Sequence, residues 1–323
     1  MTGKIFVTRK IPAVGLDMLA GRAGLEVDVY QKDRVIPRRE LLKRIRGCAG
    51  VLTLLTEKVD QEFLEAAGPQ LKVVANMAVG YDNIDVHACK NAGVAVANTP
   101  GVLTDAVAEH AFALMMAIAR RIVESDKFLR AGKYEAWGPL LLLGTQLKGK
   151  TLGVVGLGRI GAGVAERAAK GMGMKVLYND VKRNEDFERS VGAEFAAVED
   201  ILRRSDFVSI HVPLLPATRH LVDAAKLAMM KPTAYLVNTS RGPIVDEKAL
   251  VAALKSKRIA GAALDVFEFE PKLAPGLAKL DNVVITPHTA SATFEARSAM
   301  AELAAQAILD ALDGKTPKNL VTL

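Results

Sequence analysis

Three charged side chains stand just past apolar, β-prone runs in the second half of the chain. They are Arg241 in LVNTSRGPIVD (236–246), Glu270 in LDVFEFEP (264–271) and His288 in VVITPHTAS (283–291). Arginine is never deprotonated in proteins, so a guanidinium beyond a buried strand needs water or an anion. It binds a carboxylate through paired charge-assisted hydrogen bonds and polarises an adjacent carbonyl. Histidine exchanges protons near neutral pH, and a neighbouring carboxylate orients its ring and favours the charged form. Singly, each has a plain alternative: His288 as a turn cap after Pro287, Glu270 as half of a Glu-Pro loop pair, Arg241 as a solvated turn residue. Together, at three successive strand ends, they suit the reduction of a 2-oxo acid, in which a carboxylate is held while a carbonyl oxygen takes up a proton.

Such a reduction requires a hydride donor, and TLGVVGLGRIGAGVAERAAKGMGMKVLYND (151–180) has the pattern that holds one. Gly156-x-Gly158-x-x-Gly161 follows an apolar strand pattern, opens an alanine-rich helical pattern and leads to a second strand ending in Asp180. That context turns a weak motif into a dinucleotide-binding signature. The first glycine allows the tight turn, the second lets a pyrophosphate approach the backbone, and the third packs helix on strand. Free N–H groups at the helix N-terminus receive the phosphates. Asp180, 19 residues after Gly161, has the spacing of a carboxylate on the adenosine ribose diol, which favours NAD(H) by repelling a 2′-phosphate. Lys182 and Arg183 beside it leave NADP(H) open. The plain alternative for Asp180 is a turn residue closing a strand.

The elements that must position these groups form two alternating series. Strand patterns at Lys4–Thr8, Leu25–Tyr30, Gly50–Leu55, Leu71–Met77 and Val94–Asn98 alternate with helical patterns near Val14–Ala20, Arg38–Arg46, Gln61–Ala67 and Asn83–Asn91. Six further strands are expected at Thr151–Gly156, Lys175–Asn179, Phe207–Val212, Ala234–Asn238, Gly261–Val266 and Val283–Thr286. Helices fall between them near Ile160–Gly171, Val198–Arg204, Ala224–Met230 and Asp246–Lys255. Continuous apolar strands separated by amphipathic helices indicate parallel sheets covered on both faces. Two longer helical stretches, about Thr104–Ala131 and Ser291–Leu312, lie outside the alternation and suit connectors crossing a small domain. The expected fold is α/β, with two doubly wound parallel-sheet domains. A Rossmann-type nucleotide domain (99–290) is inserted into a flavodoxin-like substrate domain (1–98 and 291–323), with the active site in the interdomain cleft.

A chain of 323 residues exceeds one ordinary core, in keeping with two domains. The longest strongly apolar stretch, Ala106 to Ala119, is interrupted by Glu109 and His110, too short and polar for a bilayer span. MTGKIFVTRK reads as a first strand without a signal-peptide core. The net charge of +7 is dispersed and aromatics make up 5% of residues, so no basic, stacking surface for nucleic acid is expected. Cys48 and Cys89 match neither a disulfide framework nor a CxxC site, which fits a reduced, cytoplasmic setting. No cluster has zinc-like spacing, and Arg241 already supplies positive charge, so no metal is expected.

VVGLGRIG (154–161), NTSRGPIVDEKAL (238–250), GAALDVFEFEP (261–271) and ITPHTAS (285–291) closely resemble the D-isomer-specific 2-hydroxyacid dehydrogenases, a likeness covering almost the whole chain. The resemblance implies Arg241 as substrate-binding arginine, His288 as acid/base and Glu270 as its partner, with Asp265 beside the nicotinamide carboxamide. It also implies a cofactor-binding set of Thr104, Gly156, Gly158, Arg159, Ile160, Gly161, Asp180, His211, Val212, Pro213, Thr218, Thr239, Ser240 and Asp265. VANMAVGYDNIDV (74–86), NTPGVLTDAVAEHAFALMMAIARR (98–121) and the lone Trp137 look most like the glyoxylate and hydroxypyruvate reductases of that family. There the loop at Ala78, Val79 and Gly80 offers N–H groups to a substrate carboxylate, alongside Arg241 and His288, and a homodimer forms through the helix around 106–121 and the Trp137 segment. Glu270 argues against the formate dehydrogenase branch, which has glutamine there. The alternatives are a short-type D-3-phosphoglycerate dehydrogenase and, in another class, a nucleotide-sensing corepressor-like protein. Of the remaining histidines, His110 reads as a satisfied core or hinge residue, His211 as cofactor-lining without proton transfer, and His87 and His220 as surface.

Overall fold

The computed structural model describes residues 3–322 and divides into two compact units. One runs to Leu103 and resumes at Ala292; the other is Thr104–Ser291.

The first unit contains β1 (Gly3–Val7), α1 (Ala13–Ala20), β2 (Leu25–Val29), α2 (Arg38–Arg44), β3 (Cys48–Thr53), α3 (Gln61–Ala67), β4 (Val73–Asn76), α4 (Val86–Asn91) and β5 (Ala95–Ala97). Its strands pair in parallel in the order β2-β1-β3-β4-β5, the flavodoxin-like order. Ile5, Phe6, Val7, Val51, Leu52, Val73 and Val74 are all fully buried. Such runs lack two-residue alternation because helices cover both faces. Asp60 and Asp85 cap α3 and α4 by accepting the N–H of Phe63 and Ala88. The chain's final helix, Phe294–Leu312, packs on α1 so closely that a Cβ on Gly15 would lie 2.8 Å from the Ala301 carbonyl oxygen. Beyond it, Leu320 bridges to Ala97 on β5.

The second unit opens with α5 (Thr104–Ala119) and α6 (Ile122–Arg130), then runs β6 (Thr151–Val155), α7 (Arg159–Glu166), β7 (Lys175–Asn179), α8 (Glu185–Val191), β8 (Ala193–Phe195), α9 (Val198–Arg204) and β9 (Phe207–Ile210). It closes with α10 (Ala224–Leu227), β10 (Tyr235–Asn238), α11 (Glu247–Lys255), β11 (Gly261–Leu264) and β12 (Val283–Ile285). The parallel order is β12-β11-β10-β9-β6-β7-β8, a Rossmann-type sheet with its switch point between β6 and β9.

Two expectations change here. The sheet has seven strands, not six: β8 is a three-residue edge strand with only Ala193 buried, and the preceding α8 buries no residue completely. Neither leaves a hydrophobic pattern to read. The stretch Thr104–Ala131 is two helices, not one connector. The Ala119 carbonyl accepts the N–H of Thr145 at 2.7 Å, and Arg121 adopts a left-handed φ of 53° with its guanidinium forked onto Glu124. Helix α5 buries seven residues, six of them in the core of its unit, including Leu114, Met115 and Ile118. Helix α6 buries none. It and the following segment carry exposed Ile122, Leu129, Leu140, Leu143 and Trp137, the last 80% accessible. Among the described residues no helix is long and apolar enough to cross a membrane.

Candidate active site

At the switch point, Gly156 follows β6 with φ 96°, and a Cβ there would lie 2.8 Å from the backbone of His211 and Val212. Only glycine allows the two strand ends to touch. A Cβ on Gly161 would overlap the Gly156 carbonyl, whereas one on Gly158 would meet open space. The N-terminus of α7, with Arg159 exposed and Ile160 half-buried, thus opens outward as a phosphate would require. Asp180, just past β7, accepts the N–H of Leu157 at 2.6 Å and of Val181 at 2.7 Å, so its carboxylate lies at the rim of the glycine loop. Arg183 is engaged elsewhere: Glu188 takes it through two 2.8 Å hydrogen bonds, and that pairing, with the Tyr178 hydroxyl, lowers the Glu188 carboxyl to about 2.

The other wall comes from the ends of β9 and β10. Burial lowers the His211 imidazole to about 4, and Ser209 Oγ lies 2.7 Å from its Nε2. A neutral ring fits a lining role. Thr218 Oγ1 donates to the Pro213 carbonyl at 2.6 Å, and Ser240 Oγ donates to the Val212 carbonyl. Thr239 Oγ1 is buried with no partner among the described residues, a polar atom still able to take a ligand. Thr104 stands half-buried at the start of α5. The open face at Gly158, the rim carboxylate and the unpartnered hydroxyl fit a dinucleotide.

The proton-transfer candidates converge on the same edge. His288 Nδ1 lies 3.0 Å from Glu270 Oε2, and Glu270 Oε1 accepts the Phe267 N–H at 3.0 Å. Burial would raise the Glu270 carboxyl, but His288, the Phe267 N–H and the positive charge of Arg241 outweigh it and hold it below the usual range. With Glu270 ionised, Nδ1 carries the ring's proton toward it and leaves Nε2 for exchange with a ligand. Arg241 follows β10, its Nη1 donating to the Ser240 carbonyl at 2.8 Å. A Cβ on Gly242 would overlap the Phe267 carbonyl, so the arginine loop rests directly on the loop leading to Glu270.

Asp265 is 1% exposed. Its carboxylate accepts Thr286 Oγ1 at 2.6 Å and the N–H groups of Thr289 and Ala290 at 2.8 Å each. Burial raises this carboxyl, but hydrogen bonds from His110, Thr286, Thr289 and Ala290 bring it below the ordinary value. These bonds organise the turn carrying His288, whose own N–H donates to the Asp265 carbonyl at 2.9 Å and whose φ is 54°. The motif alone suggested only a cofactor contact for Asp265. Sequence reasoning also missed Thr286, which His110 Nε2 approaches to 3.1 Å; the available signal was a histidine inside an apolar helix, which needs a buried partner. His220, read as surface, keeps 37% of its side chain accessible and lies 2.6 Å from the nearly buried Glu268. His87 is exposed.

In the first unit, the carbonyls of Ala78, Val79 and Gly80 accept from Thr99 N–H, Asn98 Nδ2 and Asn76 Nδ2 at 2.7, 2.8 and 3.0 Å. With those carbonyls tied inward, the N–H groups of Val79 and Gly80 have no partner among the described residues, an arrangement suited to a small anion. No group of three His, Cys, Asp or Glu among the described residues could hold a metal ion.

A Rossmann-type sheet with a histidine–carboxylate pair and an arginine at its carboxyl edge defines an NAD(P)-dependent dehydrogenase. Residues 112–290 match the family model described as D-isomer specific 2-hydroxyacid dehydrogenase, NAD binding domain, and the chain belongs to that family. It is 50% identical over 325 residues to a glyoxylate reductase of Thermococcus litoralis, covering 99% of this chain and 97% of that one. Among solved structures, the TT0316 protein of Thermus thermophilus superposes with a TM-score of 0.93 at 43% identity, covering 99% and 100% of the two chains. The NADPH-dependent glyoxylate/hydroxypyruvate reductase of Sinorhizobium meliloti, in complex with NADP and malonate, gives a TM-score of 0.84 at 30% identity, covering 100% and 97%.

Proposed function

We propose that this dehydrogenase reduces glyoxylate or hydroxypyruvate to the D-2-hydroxy acid, with NAD(H) as the preferred cofactor. The observation that carries the mechanism is the 3.0 Å pairing of His288 with an ionised Glu270 beside Arg241. Arg241 binds the substrate carboxylate through paired hydrogen bonds and polarises the adjacent carbonyl. In the first unit, the N–H groups of the Ala78–Val79–Gly80 loop suit the same class of ligand, a small carboxylate. Gly156–Gly161, Thr104, Val212, Pro213, Thr218, Thr239 and Ser240, with Asp180 for the adenosine ribose, would hold the dinucleotide, whose nicotinamide would supply the hydride. As negative charge develops on the carbonyl oxygen, His288 donates its Nε2 proton, and Glu270 holds the ring throughout. In the reverse direction the neutral ring takes the proton back.

NAD(H) preference rests on the rim position of the Asp180 carboxylate and on the capture of Arg183 by Glu188. Lys182, exposed beside them, leaves NADP(H) as a second cofactor. The exposed apolar surface from Ile122 to Leu143, with Trp137 at its centre, supports a homodimer. The unpaired, buried thiols Cys48 and Cys89, both raised to about 11 by burial, suit the cytoplasm. In the deciding experiment, His288→Ala lowers turnover of glyoxylate by orders of magnitude while NADH binding, followed by fluorescence, stays near wild type. Unchanged turnover rejects the assignment.

A further inference from the structure

Glu270 stands at the tip of a tight turn in which Phe269 and Lys272 face each other, the Lys272 N–H donating to the Phe269 carbonyl at 2.8 Å. Both feet of that turn end on one side chain. The N–H of Glu268 donates to Glu247 Oε2 and the N–H of Ala274 to Glu247 Oε1, each at 2.7 Å. Glu247 is the first residue of α11, five residues beyond the Arg241–Gly242 step, and is 3% exposed. The arrangement is reciprocal. Glu268 Oε2 accepts the Glu247 N–H at 3.3 Å, while Glu268 Oε1 meets His220 Nε2 at 2.6 Å and Arg219 at 3.4 Å.

A carboxylate is costly to bury and would be a poor choice for filling space. Here its two oxygens do what no neutral side chain can, accepting two backbone N–H groups on opposite sides of the turn through charge-assisted bonds. Glu247 takes no direct part in the proton transfer. Resting on the proton-transfer reading, we infer that Glu247 is a positioning residue for the His288–Glu270 pair. It pins both feet of the turn, so that Glu270 Oε2 stays within 3.0 Å of His288 Nδ1. Because Gly242 lies under the Phe267 carbonyl, the same clamp keeps the Arg241 loop in register with the pair.

The test uses the full chain with NADH and glyoxylate. In Glu247→Gln the amide group opposes one of the two N–H donors, and that foot is released. Loss of register by about 1 Å predicts a kcat lower by about 10- to 100-fold, with the glyoxylate KM and the NADH dissociation constant close to wild type. The double variant with Glu270→Gln decides the route. If Glu247 acts through Glu270, the double variant is no slower than Glu270→Gln alone, because groups acting as a unit are not additive. Losses that multiply would overturn the inference, as would a wild-type kcat in Glu247→Gln. Glu247→Asp keeps both acceptor oxygens and guards against a glutamine variant that does not fold. It retains more activity than Glu247→Gln and likewise adds no loss to Glu270→Gln; a multiplying loss there also overturns the inference. Full activity in Glu270→Gln alone would instead overturn the pair assignment underneath.

Discussion

Asp265→Asn tests whether the turn carrying His288 is organised by a buried charge. In the wild type one carboxylate oxygen takes Thr286 Oγ1 and the Thr289 N–H, and the other takes the Ala290 N–H at 2.8 Å. An asparagine can place its oxygen on the first site, but its NH2 group then opposes the Ala290 N–H, which lies in a buried residue. The variant loses one hydrogen bond to a charged acceptor, about 1.5–3 kcal/mol, and leaves a buried donor unsatisfied, about 1–3 kcal/mol. Since the turn relaxes in part, a net destabilisation of about 2–4 kcal/mol is expected. The pH dependence follows from the direction of the shift. The folded-state carboxyl is lowered, so its contribution is fully present above the unfolded value of about 3.9 and is lost as pH falls through the folded value. Urea unfolding followed by far-UV circular dichroism should therefore show a constant gap between wild type and variant from pH 7 to about 5, closing below about pH 4. A gap under about 0.5 kcal/mol, or one that shrinks between pH 7 and 5, would refute the reasoning.

Asp180→Asn removes like-charge repulsion at the rim of the glycine loop, about 1–2 kcal/mol, so kcat/KM for NADPH relative to NADH should rise about tenfold. Adding Glu188→Gln frees Arg183 and should raise the ratio further; an unchanged ratio would remove Asp180 as the discriminator. Sedimentation velocity should give the wild type a dimer mass, and replacing both Trp137 and Leu140 with Asp should give a folded monomer. A monomeric wild type would reject the homodimer.

The chemistry of the site was legible because it depends on residue types at strand ends. Gly156, Gly158 and Gly161 between a buried strand and a helix have one common use, and Arg241, Glu270 and His288 each follow an apolar run that had to be a parallel strand. Periodicity reports burial, so elements that bury little escaped it: β8 exposes two of its three residues, and α8 buries none completely. The break at Arg121 was equally silent, since the N–H that ends α5 comes from Thr145.

Sequence alone determined which residues could exchange a proton, hold a carboxylate and bind a dinucleotide, because those capacities belong to the side chains themselves. Only the tertiary structure decided how they are held. Asp265 became the organiser of the His288 turn, His110 the neighbour of Thr286, and Glu247 the clamp on the Glu270 turn. Each depends on hydrogen bonds between residues more than 20 positions apart, which local patterns cannot encode and folding must bring together.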